Sequence, residues 1–326
     1  MSSGVIASFD YATQQMAIYI NFSNLIIGIP GGLLNIIVFL SLKTFRESTC
    51  AFYLVIVSFA NLGQLINGAL IRLLISGYGI DWTIASRFSC KLRSFLTQWL
   101  SLISFTCLCL ATIDQYFATC SRLRWQQRSN IKVVRILSII TVIFWALFSI
   151  FYAVYYDIVT PVTTNKTVCM NTNADFELYN SYFQRNVLQG FLPNLLTAFF
   201  AILAYLNTRN LAYRTVPLVR REHDKQLTRM LLVQVIVNSF SLLAYNIISI
   251  VIPNVLKSTN PIVLAKARLV QILSYSSYYF YAAWPFLIYV CVSERFRRQL
   301  AYVLVVKHVQ HCPKFAFVGN QVIPDT

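Results

Sequence analysis

Bond-making chemistry has few groups to work with in this chain. The three histidines, His223, His308 and His311, fall outside its apolar stretches, and no Ser/His or paired-Asp arrangement falls inside them. The eight cysteines, at 50, 90, 107, 109, 120, 169, 291 and 312, contain no C-x-x-C spacing of a zinc or redox site. No metal and no cofactor is expected. Ion recognition is better supplied. Arg93, Thr97, Ser101 and Ser104 are spaced 4, 4 and 3, which is one face of a helix, with Gln98 beside them. Arg72, Arg87, Lys91, Arg93, Arg185 and Arg268 fall at one set of ends of the apolar stretches. A guanidinium fork pairs well with a carboxylate, so Arg93 or Arg185 is expected to hold an anionic group. Two alternatives stand: the same residues snorkel to lipid headgroups, or Asp157, Asp175 and Glu177 neutralise them.

The elements that position these residues follow from composition. Of 326 residues, 57% are hydrophobic and only 12% charged, against about 25% charged in an average soluble domain. That excludes a disordered chain and an ordinary soluble globule. Seven stretches are apolar and long enough to span a bilayer, which takes about 20 residues. They are 18–42, 51–75 (interrupted late by Arg72), 94–113, 136–156, 186–208, 230–256 and 269–293. With the N-terminus outside, the inward segments 43–50, 120–135, 207–229 and 294–326 hold 18 of the 27 Lys and Arg. The positive-inside rule therefore places the N-terminus outside and the C-terminus in the cytosol. The net charge of +16 reads as topology signal; its scatter between apolar runs excludes nucleic acid as a partner. The expected division is an extracellular N-terminus at 1–17, a seven-helix membrane domain at 18–293, and a cytosolic amphipathic helix and tail at 294–326.

Seven such spans with the N-terminus outside resemble a G-protein-coupled receptor over roughly residues 18–305, and the following motifs resemble those of its rhodopsin-like class. Asn35, within Gly31-Gly32-Leu33-Leu34-Asn35, matches a buried hub that bonds neighbouring helices. Ala60-Asn61-Leu62 resembles the family's Ala-Asp-Leu with the acid replaced, so no sodium site is expected, although Ser104 matches another position of that site. Asp114-Gln115-Tyr116 stands where the family has Asp-Arg-Tyr. Trp145 and Pro193 match landmarks of the fourth and fifth helices. Trp284-Pro285-Phe286-Leu287-Ile288-Tyr289 resembles Asn-Pro-x-x-Tyr with Tyr289 one place late, a turn of about 100° on a helix. The sixth helix has Leu242-Leu243-Ala244 in place of Trp-x-Pro.

The resemblance implies an all-α membrane fold, a seven-helix bundle with a short amphipathic cytosolic helix. In that helix Phe296 and Leu300 are expected to face lipid, with Arg295, Arg297 and Arg298 at anionic headgroups. It implies a disulfide between Cys90 and Cys169. It implies a ligand cavity at Arg93, Thr97, Gln98, Ser101, Arg185, Gln189, Tyr245, Asn246, Ser274 and Tyr278. Thr97 stands where amine receptors place an acid, and Tyr278 where opsins place the retinal lysine, so amine and light receptors are disfavoured. The expected partners are an extracellular ligand (a peptide, or a small molecule with an anionic group), a heterotrimeric G protein and membrane lipids. Coupling and switching fall to Asp114, Gln115, Tyr116, Pro285 and Tyr289, with Arg122 or Arg124 as possible partners of Asp114. Any lock from Gln115 to Glu222 or Asp224 is an uncharged hydrogen bond. Asn165 lies in a sequon of an outer loop, Asn21 in one too close to the membrane, and Cys312 is a candidate for palmitoylation. Two other classes remain: a receptor-fold protein that does not couple to G proteins, such as a scavenger or dimer partner, and a channel or transporter, for which the spans hold few ionisable groups.

Overall fold

The computed structural model describes residues 2–41, 48–120, 123–126, 130–160, 167–210, 218–256, 258 and 260–309. Helix α1 covers Ser2–Ser41 and so begins well before residue 18. Residues 2–17 hold no proline and one charged residue, Asp10. Their packing extends the helix: Gln14 Nε2 donates to the Gly77 carbonyl at 2.8 Å, Ala17 is buried, and Lys266 stands 5.8 Å from the ring centre of Phe9.

Helix α2 starts at Thr49, where the Ser48 hydroxyl accepts from the Ala51 N–H, an ordinary N-cap. It is α-helical over Thr49–Gln64 and widens into π-helical turns at Leu65–Leu70 and Leu73–Gly77. Helix α3 runs Arg87–Thr119 behind a Ser86 cap, and α4 runs Ile131–Tyr155 behind an Asn130 cap. A hairpin follows, β1 (Tyr156–Val159) antiparallel to β2 (Val168–Asn171), with Ile158 opposite Cys169. Helix α5 begins at Ala174, is π-helical over Tyr179–Phe191, and continues as Leu192–Asn210. Helix α6 is Leu218–Val255.

Six helices, from α1 to α6, are each long and apolar enough to cross a membrane unbroken. The seventh, α7, is laid down as Pro261–Tyr278, Phe280–Ala283 and Pro285–Val292. Its second break has a local cause: Pro285 lacks the N–H that a continuing helix would bond to the carbonyl four residues back. The first break has a tertiary one. Asn24 of α1 donates to the Ser276 carbonyl at 3.0 Å, and Asn21 donates to the Ser276 hydroxyl at 2.9 Å. An acceptor that a continuing helix would offer to Phe280 is thus engaged from outside.

Packing is reversed relative to a soluble protein. Isoleucines of α4 such as Ile139 and Ile143, and Phe240 of α6, point outward, while Asn61, Ser104, Gln234 and Asn238 are buried between helices. In lipid that is the favourable arrangement, since buried polar groups must find partners inside the bundle. One core cluster includes Phe39, Tyr53, Met230, Tyr289 and Phe296, and a second includes Leu65, Phe105, Tyr279 and Tyr281. Helix α8, Glu294–Val309, corrects one expectation. Phe296 is fully buried against Phe39 and Tyr289, and Leu300 packs on the same core. The turn at Ser293, whose hydroxyl accepts from the Phe296 N–H, folds α8 back onto the bundle.

Candidate ligand site and switch

Cys90 at the head of α3 and Cys169 in β2 are joined by a disulfide, with their Cα atoms 5.7 Å apart. The hairpin is thereby tied over that end of the bundle. Beside it opens a cavity of about 250 Å³. Eight of the expected ligand residues line it: Arg93, Thr97, Gln98, Ser101, Arg185, Gln189, Tyr245 and Tyr278. Two do not. Asn246 turns toward α5, where Gly190 leaves room that a Cβ would fill, its Nδ2 lying 2.1 Å from the position such an atom would take. Ser274 faces a separate crevice of about 20 Å³ beside Ile248 and Pro253.

The structure adds residues that sequence reading missed as wall positions: Arg72, Ser94, Tyr152, Tyr156, Tyr275 and Tyr279. The polar floor is internally bonded. Gln189 Nε2 donates to Gln98 Oε1 at 2.5 Å and to Ser101 Oγ at 2.8 Å, and Asn67 donates to Thr97 Oγ1 at 2.8 Å. Gln64 donates to the Thr97 carbonyl.

The arginines are the opposite case. Among the described residues, Arg72, Arg93 and Arg185 have no carboxylate at ion-pair distance and donate no hydrogen bond to a protein acceptor. The Arg72 guanidinium lies 4.5 Å from the centre of the Tyr275 ring, and its Nε is buried without a partner. These three side chains turn into the cavity rather than toward headgroups. Among the described residues no acid reaches them at ion-pair distance, although Glu177 attracts Arg185 and Asp81 attracts Arg93 from farther away. Asp157 pairs with Arg87 at 3.6 Å. Glu177 accepts from Asn171 and Ser181, each at 3.1 Å. Asp81 caps Trp82–Ile84 by accepting from the Thr83 N–H, and Asp175 is exposed. In the hairpin, burial above all, helped by the nearby negative Glu177, pushes the Tyr156 phenol up to about 12. It therefore stays a neutral hydroxyl donor at ordinary pH.

At the opposite end, Asp114 is buried and accepts from the Thr49 hydroxyl at 2.5 Å. Gln115 Nε2 donates to Thr228 Oγ1 of α6 at 2.9 Å. Thr228 lies one turn beyond Asp224; the side chains of Glu222 and Asp224 lie outside the described ones, as does Arg122. Tyr116 packs on Phe200 of α5. Tyr289, one place late in its motif, points inward and donates to Gln234 Oε1 of α6 at 2.6 Å. Among the landmark residues, Asn61 accepts from Ser104 at 2.6 Å, a neutral pair where the family carries an acid. Trp145 Nε1 donates to Thr106 at 2.9 Å, and the Pro193 carbonyl accepts from Thr197 at 2.7 Å. Asn35 is buried with its Oδ1 unpartnered. Asn21 is buried and bonded to Ser276, so it is closed to glycosylation in the folded chain. Asn165 and Cys312 lie outside the described residues. No group of three or more metal-ligating side chains occurs among the described residues.

The structure is a bundle of membrane-length helices with a disulfide-tied hairpin and a polar cavity at one end. The family model described as 7 transmembrane receptor (rhodopsin family) matches residues 31–291, most of the chain. The chain belongs to that family, whose members are receptors and not enzymes. Comparison with curated proteins gave no match.

Proposed function

We propose that this chain sits in the plasma membrane with its N-terminus outside and carries the signal of an extracellular anionic ligand to heterotrimeric G proteins. The single observation that carries the ligand reading is the convergence of Arg72, Arg93 and Arg185 on one cavity without a carboxylate counter-ion. Uncompensated buried charge is costly, and an incoming anion would offset it. The cavity is small, so a peptide would insert only its acidic end, its remainder lying across the hairpin. A ligand shifts the bundle between its arrangements only by binding them unequally. The residues for that shift are those bridging α3, α6 and α7: Gln115, Thr228, Gln234 and Tyr289, with Asp114, Tyr116 and Pro285 beside them.

The second reading is a receptor-fold protein that takes the ligand without coupling. The neutral bond of Gln115, where the family carries a charged arginine, favours it. Ligand-free G-protein activation in transfected cells separates the two, comparing wild type, Gln115→Arg and empty vector at matched surface expression. Signal from wild type or from Gln115→Arg above vector is expected. Silence from both, together with silence of ligand-challenged wild type, would contradict transduction and favour the non-coupling protein.

A further inference from the structure

The three cavity arginines leave a charge balance that a singly charged ligand does not close. This inference rests on the anionic-ligand reading above and narrows it. Arg72 stands between two π-helical stretches of α2, Leu65–Leu70 and Leu73–Gly77, and Arg185 lies inside that of α5, Tyr179–Phe191. A π turn carries an extra residue and re-aims the side chains around it, and such turns recur at functional sites. Here both cations are brought to the same cavity wall as Arg93. The wall holds no acid, and Glu177 and Asp81 act on Arg185 and Arg93 only from beyond ion-pair distance. Gln98, Gln189, Thr97 and Ser101 bond one another or the backbone. What is left to a ligand is a set of hydrogen-bond donors with a threefold positive charge. A monoanion would leave two of the three like charges on one wall without a counter-charge, and like charges repel.

We propose that the cavity receives a ligand end group carrying two negative charges, held by Arg72 and Arg93 from α2 and α3 and by Arg185 from α5. Two sources supply that chemistry: a phosphate monoester, or the paired carboxylates of a peptide ending in an acidic residue. Both present oxygens suited to guanidinium forks.

The full-length receptor in lipid nanodiscs is titrated with matched probes, and its unfolding midpoint is followed by tryptophan fluorescence at constant ionic strength. Phenyl phosphate is compared with benzoate, and N-acetylglutamate with N-acetylglutamine; the first of each pair is a dianion and the second a monoanion. In at least one pair the dianion should half-saturate at about tenfold lower concentration than its monoanion. The pair that responds identifies the source. Arg72→Gln should bring that dianion to the level of its monoanion. Any advantage of phenyl phosphate should fade as pH falls through about 6, where the phosphate monoester dianion takes up a proton and becomes a monoanion. Equal binding of both members of each pair, lost in Arg185→Gln, would overturn the dianion while leaving the anionic-ligand reading intact. No stabilisation by any probe would overturn both, and the wild-type titrations alone decide this if a variant fails to fold.

Discussion

Gln115 of α3 donates to the hydroxyl of Thr228 on α6 across 2.9 Å, a neutral bond at the place where this family carries a charged arginine. A neutral hydrogen bond contributes about 1 kcal/mol net, roughly half of a charge-assisted one. Thr228→Val keeps the shape and removes the acceptor. Basal G-protein activation should rise about fivefold, the equivalent of that free energy. An unchanged basal signal at equal surface expression would show that this bond does not hold the resting bundle.

Tyr289 makes the second tie to α6, to Gln234 at 2.6 Å, with both residues buried. Tyr289→Phe leaves the Gln234 acceptor unpartnered in a low-dielectric interior. The expected loss is about 1–3 kcal/mol of stability, read as a lower unfolding midpoint of the purified receptor. Gln234→Leu in the same background should restore part of it, because the orphaned amide is then gone.

Arg72 carries a buried, unpartnered Nε while its guanidinium covers Tyr275. Arg72→Met keeps an apolar stem over that ring and removes the charge. Without ligand the variant should melt higher, since the buried Nε that lacks a partner is removed. With ligand its response should fall. The two opposite signs in one variant separate a ligand-holding arginine from a structural one.

The disulfide closes a long loop, Cys90 and Cys169 standing 79 positions apart in sequence. Cys169→Ser should cost about 2–5 kcal/mol and free the hairpin over the cavity. Surface expression and ligand response should both drop, measured by cell-surface labelling and by G-protein activation. Retained response at normal expression would contradict a role for the hairpin in shaping the site.

The apolar stretches and the one-face spacing of Arg93, Thr97 and Ser101 were legible because they depend on composition and on helical period alone. What the sequence hid depends on tertiary partners. Nothing in residues 2–17 announces that Gln14 will reach Gly77 and extend α1. The break at Tyr279 comes with Asn24 bonding to a distant carbonyl. Arg72 reads as a blemish at the end of a span, because π-helical turns have no clear sequence signature and it is they that re-aim it. The family resemblance implies cavity positions for Asn246 and Ser274, yet Asn246 packs against Gly190 and Ser274 faces a separate crevice. A spacing of four predicts a lipid-facing Phe296, yet the turn at Ser293 buries it.

The most direct test of the ligand claim is a paired challenge of cells expressing the receptor, with G-protein activation as the readout. One arm receives a peptide library with free C-terminal carboxylates, together with small carboxylates and phosphate esters. The other receives the amidated and esterified counterparts. The account predicts that activators come from the anionic arm and lose most of their potency on the neutral counterpart. It also predicts that Arg93→Gln and Arg185→Gln, at matched surface expression, shift the response to at least about tenfold higher concentration, the scale of one lost charge-assisted bond. Activators that are equally potent in both arms, or a response indifferent to both arginine changes, would contradict it.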